Sequence, residues 1–118
     1  MVFYRRHLCR TEPWPWEIEH AFSLFNYDLY RAMWGPAEFT SDGLLKDYDA
    51  APRLAEIAVP TLFTRGEHDE ATPAACRGFA GLMTDAQVAV IEGGSHLANL
   101  EAPARYLEIV ESFLTEAS

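Results

Sequence analysis

The 118 residues suffice for one compact core but fall short of what a complete doubly wound α/β sheet usually needs, so the chain reads as a piece of something larger. Hydrophobic residues make up 49% and aromatics 13%, which excludes a disordered chain; no apolar run nears the about 20 residues that cross a bilayer, so a soluble chain with no membrane partner is expected. The net charge of −9, from 9 Lys and Arg against 18 Asp and Glu, repels phosphate backbones and argues against nucleic acid as a partner.

Cys9 and Cys76 are far apart, with no Cys-x-x-Cys and no His pair at zinc spacing. Neither a disulfide scaffold nor a metal site is indicated, no cofactor is expected, and reduced thiols point to the cytoplasm. Met1 to Arg10, with Arg5, Arg6 and Arg10 around a short apolar stretch, does not form a signal peptide and reads as interior sequence that begins at a Met.

From Trp14 to Trp34, Ile18, Phe22, Phe25, Leu29 and Met33 recur at three- or four-residue steps, which predicts a helix with one buried face. Pro13 and Pro15 precede it and Gly35-Pro36 ends it. Residues 40 to 60 read as loop, with a short turn or helix around Asp49 to Ile57. The run Val59 to Gly66 is rich in strand formers, with Pro60 at its entrance where a missing N–H costs least. Thr72-Pro73 then has the form of a helix start, followed by Ala75, Phe79 and Met83 on one face. A second strand is expected over Gln87 to Glu92, closed by Gly93-Gly94. From Pro103, the residues Tyr106, Ile109 or Val110, and Phe113 mark a closing amphipathic helix.

The order from Val59 onward is strand, helix, strand, helix, which implies an α/β arrangement of parallel strands joined by a right-handed crossover. Ligand and catalytic groups in such sheets gather beyond the carboxyl ends of the strands, where Asp69 and His96 lie on Gly-marked loops. Two adjacent parallel strands would set those loops side by side. In one large class of serine hydrolases the catalytic residues follow in the order Ser, acid, His, and Asp69 and His96 fit the last two places. There the histidine takes the serine's proton while the carboxylate holds the imidazole tautomer. His7, His20 and His68 read as surface or packing residues, and Ser95 lacks the Gly-x-Ser-x-Gly elbow of a nucleophile.

Five segments carry a more specific likeness: Tyr4-Arg5-Arg6-His7-Leu8-Cys9-Arg10, Gly35-Pro36-Ala37-Glu38-Phe39, Pro60-Thr61-Leu62, Gly66-Glu67-His68-Asp69-Glu70-Ala71-Thr72-Pro73 and Ser95-His96-Leu97. The chain resembles, over nearly its whole length, the C-terminal part of proline iminopeptidases and the similar tricorn-associated aminopeptidases. The resemblance implies the C-terminal portion of an α/β-hydrolase fold, with Met1 to about Phe39 as the end of a helical cap and about Thr40 to Ser118 as the last part of the catalytic domain. It implies a serine exopeptidase that releases an N-terminal residue, often proline, from short peptides. Asp69 would be the triad acid and His96 its base, while Glu38 and Glu70 would hold the α-ammonium of a peptide with a free N-terminus. Two carboxylates facing a cation make charge-assisted hydrogen bonds that an internal peptide bond, lacking the charge, cannot form.

The departure from that family is a missing nucleophile. No Gly-x-Ser-x-Gly and no His-Gly-Gly type oxyanion loop occurs in the 118 residues. Both would precede this segment in an intact enzyme, which makes an N-terminal hydrolase half the expected partner. Two rivals remain: another small-molecule serine hydrolase, such as an esterase or carbon–carbon hydrolase, which Glu38 and Glu70 argue against, and a catalytically silent binding fragment. The chain alone is expected to show no hydrolysis of a proline amide or simple ester, because acid and base lack the group they would activate. Turnover that His96→Ala abolishes would reveal a nucleophile hidden from this reading.

Overall fold

The computed structural model describes residues 2 to 117. The chain divides into two compact units: Trp16–Ala50, and the segments on either side of it in sequence. The division expected near Phe39 does not coincide with these units. By their contacts, residues 2 to 15 fall in the unit that holds the strands.

In the second of these units, α1 (Tyr4–His7) is followed, beyond Ala50, by a 3-10 turn (Ala51–Glu56), strand β1 (Thr61–Gly66), α4 (Pro73–Gly81), strand β2 (Ala86–Ile91), α5 (Ala98–Glu101) and α6 (Pro103–Glu116). The strands pair in parallel, in register from Thr61 opposite Ala86 to Gly66 opposite Ile91. The expected strand–helix–strand–helix order is therefore present as an α/β arrangement, each strand within two residues of its predicted bounds. Thr72 caps α4 as its sequence suggests, its Oγ1 accepting from Ala75 N at 3.2 Å with Pro73 at the first helical position. The side that α4 buries differs from expectation. Cys76 is buried, whereas Ala75 and Phe79 are exposed, because the helix presents Cys76 and the half-buried Ala80 inward. On α6, Tyr106, Ile109, Val110 and Phe113 are half-buried and form the expected stripe.

The most buried residues of this unit collect at the carboxyl end of the sheet. Arg65, Gly66, Ile91, Gly94, Ser95, Ala98 and Cys9 are all buried there, while the amino ends of both strands stay half-open. Gly66 is required by this packing: a Cβ on it would collide with the backbone of Gly94 and Ser95. Gly93, at φ +71°, occupies the left-handed region that glycine enters without steric cost, and so lets the chain turn sharply out of β2.

The Trp16–Ala50 unit corrects the single-helix expectation. Two helices form, α2 (Trp16–Ser23) and α3 (Tyr27–Met33). Asn26 makes the break: its side chain accepts from Leu29 N at 2.9 Å and caps α3, ending the continuity that the apolar spacing alone suggested. The shared apolar face is largely open. Ile18 is buried, but Phe22, Phe25 and Leu29 are exposed at 40%, 41% and 58%. Beyond α3, Gly43 N, Leu44 N and Leu45 N donate to Trp34 O, Ala32 O and Met33 O, folding residues 43 to 45 back along the end of the helix.

Among the described residues, no helix is long and apolar enough to cross a membrane. Exposed apolar side chains are nonetheless plentiful, including Leu24, Phe39, Leu44, Tyr48 and Val59. So much open apolar surface, beside a two-stranded sheet with unpaired edges, favours self-association. The purified chain is expected to form dimers or larger species as its concentration rises, with strong binding of a hydrophobic dye. Sedimentation velocity would contradict this if it gave one monomeric boundary across the concentration series, together with cooperative unfolding at high temperature.

Candidate active site

The site forms where the two strands end. Pairing continues past them: Glu67 N donates to Ile91 O at 3.0 Å and His68 N to Gly94 O at 2.9 Å, so the loop after β1 lies directly on the loop after β2. Glu67 strengthens the contact, its Oε2 accepting from Gly93 N at 3.0 Å.

Asp69 sits in the tight turn that leaves β1. Its side chain is only 4% exposed, yet both carboxylate oxygens have donors: Gly66 N to Oδ2 at 3.3 Å and Ala71 N to Oδ1 at 2.9 Å. Such backbone donors hold a carboxylate in one orientation. Oδ1 also lies 3.0 Å from His96 Nδ1. Because an ionised carboxylate only accepts, the proton of this bond belongs to Nδ1, which leaves Nε2 as the ring nitrogen able to take up another. The His96 side chain is 46% exposed, so one end of the ring is anchored and the rest reaches solvent.

Glu70 is also here. Its side chain is largely buried, with Oε1 3.9 Å from His96 Nδ1, so two carboxylates flank one imidazole edge. Asp69, Glu70 and His96 are thus brought together. Glu38 lies in the Trp16–Ala50 unit, half-buried in the turn between Ala37 and Thr40, where Trp34 Nε1 donates to its carbonyl at 2.9 Å.

Several supporting residues escaped the sequence reading. Arg65, buried at 5% exposure within β1, donates from Nε to Ala71 O at 2.9 Å and from Nη2 to Glu67 O at 3.3 Å, clasping both ends of the loop that carries Asp69. Its being the one charged residue of β1 is the available sequence signal for it. His7, expected to be a surface or packing residue, contributes on two sides. Its Nδ1 donates to His68 O at 2.8 Å, and its carbonyl accepts from His96 N at 2.9 Å, while Leu8 O accepts from Leu97 N at 2.9 Å. These long-range backbone bonds have no local sequence pattern. Ser95 is fully buried and its Oγ donates to Glu101 Oε2 at 2.7 Å, in keeping with its exclusion as a nucleophile. Among the described residues no cluster of His, Cys, Asp and Glu is suited to hold a metal ion. Both cysteines are free thiols.

No protein-family model matches the sequence. A proline iminopeptidase of Heyndrickxia coagulans is 38% identical over 114 residues, covering 96% of this chain and 40% of the relative. One from Saccharolobus solfataricus is 33% identical over 115 residues, covering 97% and 37%. The chain belongs with the α/β-hydrolases, as a relative of proline iminopeptidases. In crystal structures, proline iminopeptidase of Mycobacterium smegmatis superposes with a TM-score of 0.90 at 36% identity, over 98% of this chain and 40% of that one. The structure of VinJ also gives 0.90, at 39% identity. MenH from S. aureus, at 0.65 and 24% identity, shares the fold alone. The chain therefore spans about 40% of the length of the relatives it matches.

Asp69 organises its turn through three donors, so replacing it with Ala should leave the amides of buried Gly66 and half-buried Ala71 without this acceptor. A cost of about 1–3 kcal/mol is expected for each amide left buried and unsatisfied, with a smaller loss for Asp69→Asn, which keeps an acceptor. Urea unfolding of dilute protein measures this. An unchanged midpoint in Asp69→Ala would show that the turn orders itself without the carboxylate.

Proposed function

We propose that this chain supplies the acid and the base of a serine aminopeptidase that releases N-terminal residues, preferably proline, from peptides. The observation that carries the proposal is the 3.0 Å hydrogen bond between Asp69 Oδ1 and His96 Nδ1 across neighbouring strand ends. In this reading His96 Nε2 takes the proton from a serine hydroxyl during attack on the carbonyl and returns it to the leaving amine. Asp69 keeps the imidazole in the tautomer that step needs and stabilises the imidazolium. The nucleophile and oxyanion donors belong to the N-terminal portion of such a hydrolase, which these 118 residues do not span, and that portion is the natural partner of the open faces.

Substrate choice rests on Glu38 and Glu70. Each is a carboxylate of the kind that accepts hydrogen bonds from the α-ammonium of a peptide with a free N-terminus, and the relatives' name supports a peptide substrate. Residues up to about Phe39 then correspond to the end of a helical cap carrying Glu38, and the remainder to the catalytic domain carrying Glu70, Asp69 and His96. A cytoplasmic location agrees with the two free thiols.

The test uses the chain assembled with the N-terminal half of a relative. Replacing Glu38 or Glu70 by Gln keeps the shape and removes a charge. A lost hydrogen bond to a charged group costs roughly 1.5–3 kcal/mol, on the order of 10- to 100-fold in kcat/KM. That loss should fall on free-amine substrates and spare N-acetylated amides and plain esters. Asp69→Asn should depress all of them together, because the triad serves every acyl transfer. Equal losses on free and blocked substrates for the Glu variants would reduce the assignment to a general serine hydrolase.

A further inference from the structure

The His96-bearing loop is held by a side chain that lies outside the proposed triad and ammonium clamp. Glu101, the last residue of α5, turns its carboxylate back onto the loop that precedes its own helix. Oε2 accepts from Ser95 N at 2.6 Å and from Ser95 Oγ at 2.7 Å, while Oε1 accepts from Arg10 N at 2.5 Å. One carboxylate thus joins the residue just before His96 to Arg10. Arg10 closely follows His7 and Leu8, whose carbonyls accept from His96 N and Leu97 N. Every amide from Gly94 to Leu97 is engaged: Gly94 N with Ile91 O, Ser95 N with Glu101, and the next two with His7 and Leu8.

We propose that Glu101 is a positioning residue: by stapling Ser95 to Arg10 it fixes the place from which His96 reaches Asp69. The physical reason lies in the loop's composition. Gly93 and Gly94 give the backbone wide conformational freedom, and the half-exposed His96 side chain gains little restraint from packing, so the loop depends on bonds made at its buried Ser95. A carboxylate receiving three short charge-assisted hydrogen bonds supplies what packing does not. Ser95 suits the same role, since its small hydroxyl doubles the attachment and fits a fully buried position. This inference rests on the reading of His96 as the base only for its consequence in catalysis; the staple itself is a property of this chain.

The experiment is hydrogen–deuterium exchange by mass spectrometry on the 118-residue chain at low micromolar concentration, comparing the original protein with Glu101→Ala, Glu101→Gln and Ser95→Ala. In Glu101→Ala, peptides covering residues 93 to 98 and 8 to 12 should exchange about 10- to 100-fold faster, while a peptide from β1 and β2 keeps its rate. Glu101→Gln keeps the shape but offers one acceptor oxygen and an NH2 that cannot accept, so it should rescue one of the two segments and not the other. Ser95→Ala retains the Ser95 amide bond and should change the loop's exchange several-fold at most. Uniform acceleration throughout the sheet in Glu101→Gln would mean a general stability role and overturn the proposal, as would original rates at both segments. Should Glu101→Ala fail to fold, the segment-specific pattern of the Gln variant decides. No substrate enters the measurement, so its failure leaves the aminopeptidase reading standing, and failure of the two-substrate comparison leaves the staple standing.

Discussion

Six residues of β1 pair in parallel with six of β2, and the register runs flush to the end, Gly66 opposite Ile91. Because both strands stop at the same level, the loops that follow begin side by side, and the hydrogen-bonded ladder carries on into them through Glu67 and His68. Everything specific about the site depends on that flush ending. A shift of one residue would move Asp69 by about 3.3 Å along the strand direction, more than the tolerance of a hydrogen bond, and would turn its side chain to the other face. Gly66 shows how tightly the junction is drawn, since no side chain fits between β1 and the Gly94-Ser95 backbone.

The interior of this junction sets polar groups beside Ile91, Ala98 and Cys9, in the best-buried part of the unit. Arg65, Asp69, Ser95 and Glu101 meet backbone N–H and C=O groups there, and the hydrogen bonds that hold them come from the main chain of three separate segments. Burying such groups costs several kcal/mol each unless every one finds a partner, so the network is ordered as a unit. The result is a rigid frame carrying one half-exposed imidazole. The apolar faces elsewhere are left open, and the contrast between a finished polar junction and unfinished apolar surfaces accords with a chain that spans about 40% of the length of its hydrolase relatives.

What the sequence made legible was whatever depends on local order. Proline, glycine and the capping Thr72 mark the start and end of elements within a residue or two, and the alternation of strand and helix implies parallel pairing, because short crossovers leave few other arrangements. Asp69 and His96 could be chosen because chain order and strand ends narrow the candidates. Apolar spacing predicts one continuous helix over residues 14 to 34 because it is blind to a capping side chain: Asn26 bonds the amide of Leu29, and Phe25 and Leu29 stay exposed although their spacing predicts a buried face.

Tertiary structure alone decided what crosses long stretches of sequence. Nothing in the pattern around His7, Arg10 or Glu101 announces that His7 O accepts from His96 N, or that Glu101 accepts from both Ser95 and Arg10. The His7–His96 and Arg10–Glu101 bonds join residues 89 (96 − 7) and 91 positions apart, and the choice of partner is set by which backbone groups the folded loops leave unsatisfied. The sequence by itself determined the element order, the α/β class, the absence of a Gly-x-Ser-x-Gly motif from these 118 residues and the placing of Asp69 and His96 just beyond the two strands, because these follow from residue type and near-neighbour spacing. The fold decided which buried side of α4 faces inward, how β1 and β2 align, and which side chains hold the loops in place, because a buried polar group must be satisfied in space, wherever in the chain its partner lies.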